Sequence, residues 1–361
     1  MKTEFYDLEL ETKPDFVESM KRIYAWYDGE ILDRAPVRFL EKGVDPWVLE
    51  ERGWSDIQAK WFDTQYQVEN YMARIQNKPF LGETFPVFFP NLGPNIYGAT
   101  LGGQLIFDEN TSWLRPFIRG WTDVDQIRFN PENKYWKKIM DLTDYALERC
   151  DHQFMVGYTD IHTNLDCLEG IRGGQDLLMD MYDDEKLVDA MMEKSWAPFK
   201  TVMDIFHERL RRKRQLSVTW LNVPFYEPMH IPSCDIGAMI STEFFDRFPK
   251  PVIERETALF KHNIFHLDGK GVARHLDSIL TIEGIGAIQW VQGAGDDKPI
   301  MQWVDLIKKI QAAGKGVIVD VMPNELDRFM EAVRPQGIYL CVAEKSPEMQ
   351  KRILDRVLKW T

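Results

Sequence analysis

The chain has 361 residues, is 44% hydrophobic and carries a formal net charge of −13. That is apolar material enough for a large core, in two domains or in one long α/β barrel, and the acidic balance argues against a nucleic-acid surface and against an anionic membrane. No apolar run nears the roughly 20 residues of a membrane helix, the acidic and polar start shows no secretory leader, and Cys150, Cys167, Cys234 and Cys341 lack paired spacing, so free thiols in a cytoplasmic protein are expected.

In chain order, Phe16, Val17, Met20, Ile23, Tyr24 and Tyr27 share one face of a helix that Pro14 opens and Gly29 closes. This makes residues 1–34 a helical extension before a first strand, Ala35 to Leu40. A polar, helical stretch over 41–84 follows. Phe85 to Phe89 is the second strand. It runs into Pro90 to Gly98, too dense in Gly and Pro for a helix, which opens an insertion over 90–130. Next come a helix from Tyr135 to Ala146, a third strand at Phe154 to Tyr158, and a helical stretch from Leu165 to Met181 interrupted at Gly173-Gly174. Asp183 to Arg212 is helical with Pro198 inside, predicting a kink or two helices. The basic run at its end is a solvated helix terminus.

Leu216 to Leu221 is the fourth strand, with a Pro-rich loop after it. Thr242 to His262 is helical but broken by Pro249 and Pro251. Four more strands then alternate with helices: Asn263 to Leu267, Ala287 to Val291, Gly316 to Val321 and Gly337 to Cys341. An amphipathic helix from Pro347 to Trp360 closes the chain. The later strands are near-continuous apolar runs, as expected when both faces of a parallel sheet are covered. Eight such units in one chain predict a single-domain (β/α)8 barrel over 1–361. The rival, an open doubly wound sheet, wants a Gly-rich phosphate turn after the first strand. Glu41-Lys42-Gly43-Val44-Asp45 stands there instead.

Barrel enzymes build their sites on the loops after the strands. Those loops hold Asn91 and Tyr97; Asp160 and His162; Trp220, Tyr226, His230, Cys234 and Asp235; His266 and Asp268; Gln289, Trp290 and Gln292; Asp320; and Cys341. His266 and Asp268 are two apart on a strand, so their side chains leave it in one direction. An isolated triplet of this kind usually just bonds loop backbone. Here it joins a polar rim on otherwise apolar strands.

From about Gly157 to Trp360 the chain resembles the uroporphyrinogen decarboxylase superfamily. The resemblance is carried by Gly173-Gly174-Gln175-Asp176-Leu177 with Tyr182-Asp183-Asp184, by Cys234-Asp235-Ile236-Gly237-Ala238-Met239-Ile240-Ser241, by His266-Leu267-Asp268-Gly269, by His275-Leu276-Asp277 and by Ile288-Gln289-Trp290. Upstream, Asp33-Arg34-Ala35-Pro36-Val37 fits as well. The resemblance also implies a (β/α)8 barrel. True uroporphyrinogen decarboxylases hold propionates with an Arg-rich amino-terminal segment, whereas Arg22 is the single arginine in the first 30 residues here. The other branch moves methyl groups to or from corrinoid proteins or thiols and binds zinc through a His-x-Cys pair and a distant Cys. His266 matches that His, Asp268 stands in place of the first Cys, and Cys341 lies near the last.

The resemblance thus implies a methyltransferase acting between a small substrate and a corrinoid or thiol acceptor. His266, Asp268 and Cys341 would hold zinc, and a partner protein would bring the corrinoid, since no carrier segment surrounds His152. A homodimer is compatible with this. Asp268, His266 and Asp160 are the candidate catalytic groups. Tyr97, His162, Trp220, Tyr226, Cys234, Asp235, Gln289 and Trp290 are the candidate substrate contacts. Two alternatives stay open: a metal-free decarboxylase or lyase using these acids and imidazoles on a small or aromatic acid, and a non-catalytic partner of a corrinoid protein.

Overall fold

The computed structural model describes residues 3–40 and 47–360. The segment after the first strand, where a phosphate turn is absent from the sequence, lies outside the described residues. The strands are β1 (Val37–Leu40), β2 (Val87–Phe88), β3 (Gln104–Phe107), β4 (Ser112–Arg115), β5 (Met155–Val156), β6 (Met229–His230), β7 (His262–Asp268), β8 (Ala287–Val291), β9 (Gly316–Val321) and β10 (Ile338–Ala343). Six of them form one parallel sheet in the order β1-β10-β9-β8-β7-β6. β2 and β5 make a separate parallel ladder, and β3 and β4 an antiparallel hairpin within 90–130.

β8 and β9 cover the residues that apolar patterning predicts. Helices break where expected. Gly173, at φ 93°, separates Leu165–Arg172 from Gly174–Asp183; Pro198 separates Glu185–Trp196 from Phe199–Arg212; and Phe248, ahead of Pro249, ends Thr242–Arg247.

Two expectations are corrected. Leu216 to Leu221 is not a strand. Ser217 makes a single antiparallel bridge to Phe225, and the chain turns back at Thr219–Asn222, where the Asn222 N–H donates to the Thr219 carbonyl at 2.9 Å and Asn222 adopts φ 55°. Asn tolerates that left-handed conformation better than most residues, so an apolar run becomes a hairpin-like loop. Its edges still bond outward: Tyr158 N–H donates to Val218 O at 2.9 Å, and β6 pairs with β7. The second correction is a short helix, Ile96–Thr100, whose first three residues lie inside the Pro90 to Gly98 stretch expected to exclude one. It begins two residues after Pro94, whose ring ends the obstruction.

One core runs between the sheet and its flanking helices. The Phe16–Tyr27 helix packs at the amino ends of the strands, where Trp26 Nε1–H donates to Gly337 O at 2.9 Å. The fully buried Glu83 carboxylate ties the extension to β1: it accepts from Arg34 Nη1 and from Val37 N–H, each at 2.7 Å.

Candidate functional site

β7 sets the geometry. Phe265 and Leu267 are fully buried on one side, so His266 and Asp268 project from the other. Gly269, at φ 72°, ends the strand immediately after Asp268 and starts the next helix. β8 lies in register with β7 so that Gln289 is opposite His266. Gln289 Oε1 sits 2.7 Å from His266 Nδ1. An amide oxygen only accepts, so this contact puts the proton on Nδ1 and leaves Nε2 with its lone pair free. Trp220 meets the same ring edge-on, with centroids 5.1 Å apart and planes at 87°.

The bridge between Ser233 and His266, with His266 N–H donating to Pro232 O at 2.9 Å, brings the Pro232–Met239 segment beside β7. Asp235, at the start of a short 3-10 helix (Asp235–Met239), then faces Nε2, with Oδ1 3.9 Å away. Ligand atoms of Asp235, His266 and Asp268 all lie within 4.8 Å of one another, the one such group of three among the described residues. The structure therefore gathers Asp235, rather than Cys341, with the His-x-Asp pair. Cys341 is 1% exposed inside the sheet, aligned with Arg38 on β1 and Asp320 on β9, and burial pushes its thiol up to about 12. A buried neutral thiol amid the strands is a poor metal ligand. Burial, and then the carboxylates of Asp166 and Asp268, raise Asp235 to about 6 against the pull of His266 and His162.

A second group lies across the cavity. Gly157 lets the chain after β5 press against the 216–222 loop; a Cβ there would lie 2.7 Å from Val218 O. Beyond it, His162 Nε2 stands 2.7 Å from Asp160 Oδ1, with both side chains about one-seventh exposed, at 14% and 15%. His162 Nδ1 is 3.0 Å from Ser233 Oγ, which in turn donates to Asp166 Oδ2 at 2.6 Å. Burial alone would lower His162. Asp160 first, then Asp166 and Asp235, outweigh it and hold the imidazole at about 9, so it is a cation at neutral pH.

Asp235 and His266 on one side and Asp160, His162, Asp166 and Ser233 on the other line a cavity of ≈ 390 Å³ walled also by Tyr97, Trp220 and Glu169, with Asp268 outside its lining. Tyr97 is buried, its hydroxyl donating to Ser195 O at 2.6 Å. Three expected contacts fall elsewhere. Tyr226 packs on Tyr6 and Phe5, close to His262 at the opposite end of β7. Trp290, next to Gln289, points to the other face and meets Trp303 under the helices. Cys234 is fully buried behind the loop, its thiol pushed well above the usual range by burial. Sequence reasoning missed Ser233 and Asp166. Asp166 lies in the first turn of the helix capped by Asn164, where the helix dipole favours an acid, so its position carries no local signal of a site.

No protein-family model matches the chain, and no curated protein sequence does. Among solved structures, a methyltransferase from Methanosarcina mazei superposes with a TM-score of 0.62 over 94% of this chain and 98% of that one, at 9% identity. At that identity the likeness is one of fold. No helix among the described residues is long and apolar enough to cross a membrane.

Proposed function

We propose that this chain is a methyltransferase that holds a divalent metal, zinc by preference, on Asp235, His266 and Asp268. It would move a methyl group between a small substrate and a thiol, or a corrinoid brought by a partner protein. The observation that carries the reading is the convergence of three ligand-type side chains within 4.8 Å at the carboxyl end of β7. The fold shared with the Methanosarcina mazei methyltransferase supports the reaction type. The donor set fits a dication: one imidazole has its other nitrogen bonded to Gln289, and burial first, then the neighbouring Asp166 and Asp268 carboxylates, lift Asp235. Zinc takes imidazole and carboxylate, and three protein ligands leave a position for substrate. Bound there, it would keep a thiol as thiolate or draw charge from an ether or alcohol oxygen.

The chain's own residues do the rest. Gln289 fixes the His266 ring, and Trp220 shields its edge from water. Ser233 and Asp166 orient His162, whose shared proton with Asp160 is held in the cavity wall. As the methyl group leaves the donor heteroatom, the electron pair of the broken bond stays on that atom. An already ionised acceptor supplies the pair for the new bond, and the donor atom takes the proton held by Asp160 and His162. The barrel itself belongs to this reading. The β2–β5 ladder and the 216–233 loop would close the six-stranded sheet into eight positions, supported by the Tyr158-to-Val218 bond and the β6–β7 pairing.

A second reading rests on His162 alone: a charged imidazole beside a carboxylate can serve a metal-free lyase as general acid. Methyl transfer from a methylated thiol or methylcorrinoid, followed spectroscopically, separates the two. Methyl transfer lost on chelation and in His266→Ala upholds the metal reading. Turnover of an acid substrate that survives both, but not Asp160→Asn, upholds the lyase.

A further inference from the structure

The cavity between His266 and His162 has a charge that the methyl-transfer reading leaves unused. Its described lining holds four carboxylates, on Asp160, Asp166, Glu169 and Asp235, and neither a lysine nor an arginine. His162 is held as a cation, but that charge already faces Asp160 at 2.7 Å. Asp166 takes its hydrogen bonds from neutral donors, the Ser233 hydroxyl at 2.6 Å and the Ile236 N–H at 3.2 Å. Glu169 stands in the lining without an ion pair among the described residues, and burial, then Asp166, raise its carboxyl. A dication on Asp235, His266 and Asp268 would offset the Asp235 carboxylate and leave those of Asp166 and Glu169 in place.

Much of the remaining wall is carbon, from Pro94, Tyr97, Leu114 and Trp220. Walls of one sign around a small recess focus the field and draw in the opposite charge. Ring and alkyl surface favours a ligand with an apolar coat, and aromatic faces attract methylated ammonium groups in particular. A bare ammonium ion gains nothing from that surface, and a carboxylate ligand meets no lysine or arginine in the described lining. At ≈ 390 Å³ the space suits a small organic molecule. We infer that this cavity binds a small N-methylated ammonium compound, its nitrogen toward Asp166 and Glu169 and its methyl groups against Trp220 and Tyr97. That one of those methyl groups is transferred rests on the function proposed above; the binding does not. In the transfer, one N–C bond breaks and its electron pair stays on nitrogen. The ionised acceptor's pair makes the new bond to carbon, and the freed amine takes the proton held by Asp160 and His162.

Calorimetry on the full chain tests this with choline as the probe and two controls. In 3,3-dimethyl-1-butanol a carbon replaces the charged nitrogen within the same shape; ethanolamine keeps the charge and lacks the methyl groups. Choline should bind at least tenfold more tightly than the butanol and several-fold more tightly than ethanolamine, in chelator-treated and in zinc-loaded protein alike. Glu169→Gln should weaken choline at least threefold and leave the butanol unchanged. If circular dichroism shows that variant unfolded, the three ligands compared on the parent chain decide by themselves. Choline no tighter than the butanol removes the charge recognition, choline no tighter than ethanolamine removes the methylated class, and a folded Glu169→Gln that binds choline as the parent does removes the assigned wall; each overturns the inference. Zinc content of the same samples is scored separately. A chain that prefers choline but takes up no zinc upholds this site and defeats the metal reading, and the reverse pattern does the opposite.

Discussion

Replacing Asp160 by Asn removes the carboxylate 2.7 Å from His162 while keeping its shape. In the folded chain His162 is held at about 9, above the ordinary 6.5. Its contribution to stability is therefore fully present below the unfolded value and is lost as pH rises through about 9. Proton linkage for a rise of that size gives about 3 kcal/mol in full, of which roughly 2.5 kcal/mol would disappear between neutral pH and pH 10. In Asp160→Asn the two largest supports of the cation, the charge and the hydrogen bond of Asp160, are gone and only Asp166 and Asp235 remain against burial, so the imidazole should titrate below 9 and much of that slope should vanish. Urea unfolding across the pH range gives the slope, and the imidazole resonance of His162 gives the titration. An Asp160→Asn slope equal to that of the parent chain, or a parent His162 that titrates near 6.5, would refute the argument.

Other substitutions report on separate parts of the structure. Gln289→Leu removes the acceptor that fixes His266 Nδ1 and should weaken zinc binding about 10- to 100-fold, as loss of such supporting bonds typically does, read by competition with a chromogenic chelator. Glu83→Gln leaves Arg34 buried without its ion pair and should cost about 3–5 kcal/mol in chemical denaturation, with zinc affinity unchanged. Gly157→Ala forces a Cβ against Val218 O and should cost about 1–3 kcal/mol, visible as a lowered Tm.

Much of the fold is legible where local pattern and tertiary demand agree. β8 and β9 follow glycines and are apolar on both faces, so periodicity finds them to the residue. The pairing of His266 with Asp268 is likewise legible, because alternation along a strand is a local property. The 216–222 loop is not. Its residues suit a strand, and the turn at Asn222 is decided by the pairing of Ser217 with Phe225. Asp235 could be seen as a polar residue on the right rim, yet its approach to His266 depends on the Ser233 bridge, a contact between distant segments. Tyr226 and Trp290 misled for the same reason: a residue after a strand can face the amino end, as Tyr226 does, and a neighbour of a site residue on a strand must face away, as Trp290 does. Cys341 entered as a ligand only through the family resemblance, and its strand carries the thiol into the sheet beside Arg38 instead of toward β7.

The central claim is that Asp235, His266 and Asp268 together hold one dication. Isothermal titration of chelator-treated protein with zinc measures it directly. The account predicts one site per chain in the parent and its loss in both His266→Ala and Asp235→Asn, with Cys341→Ala unchanged. Binding that survives the first two substitutions, or that requires Cys341, would contradict it.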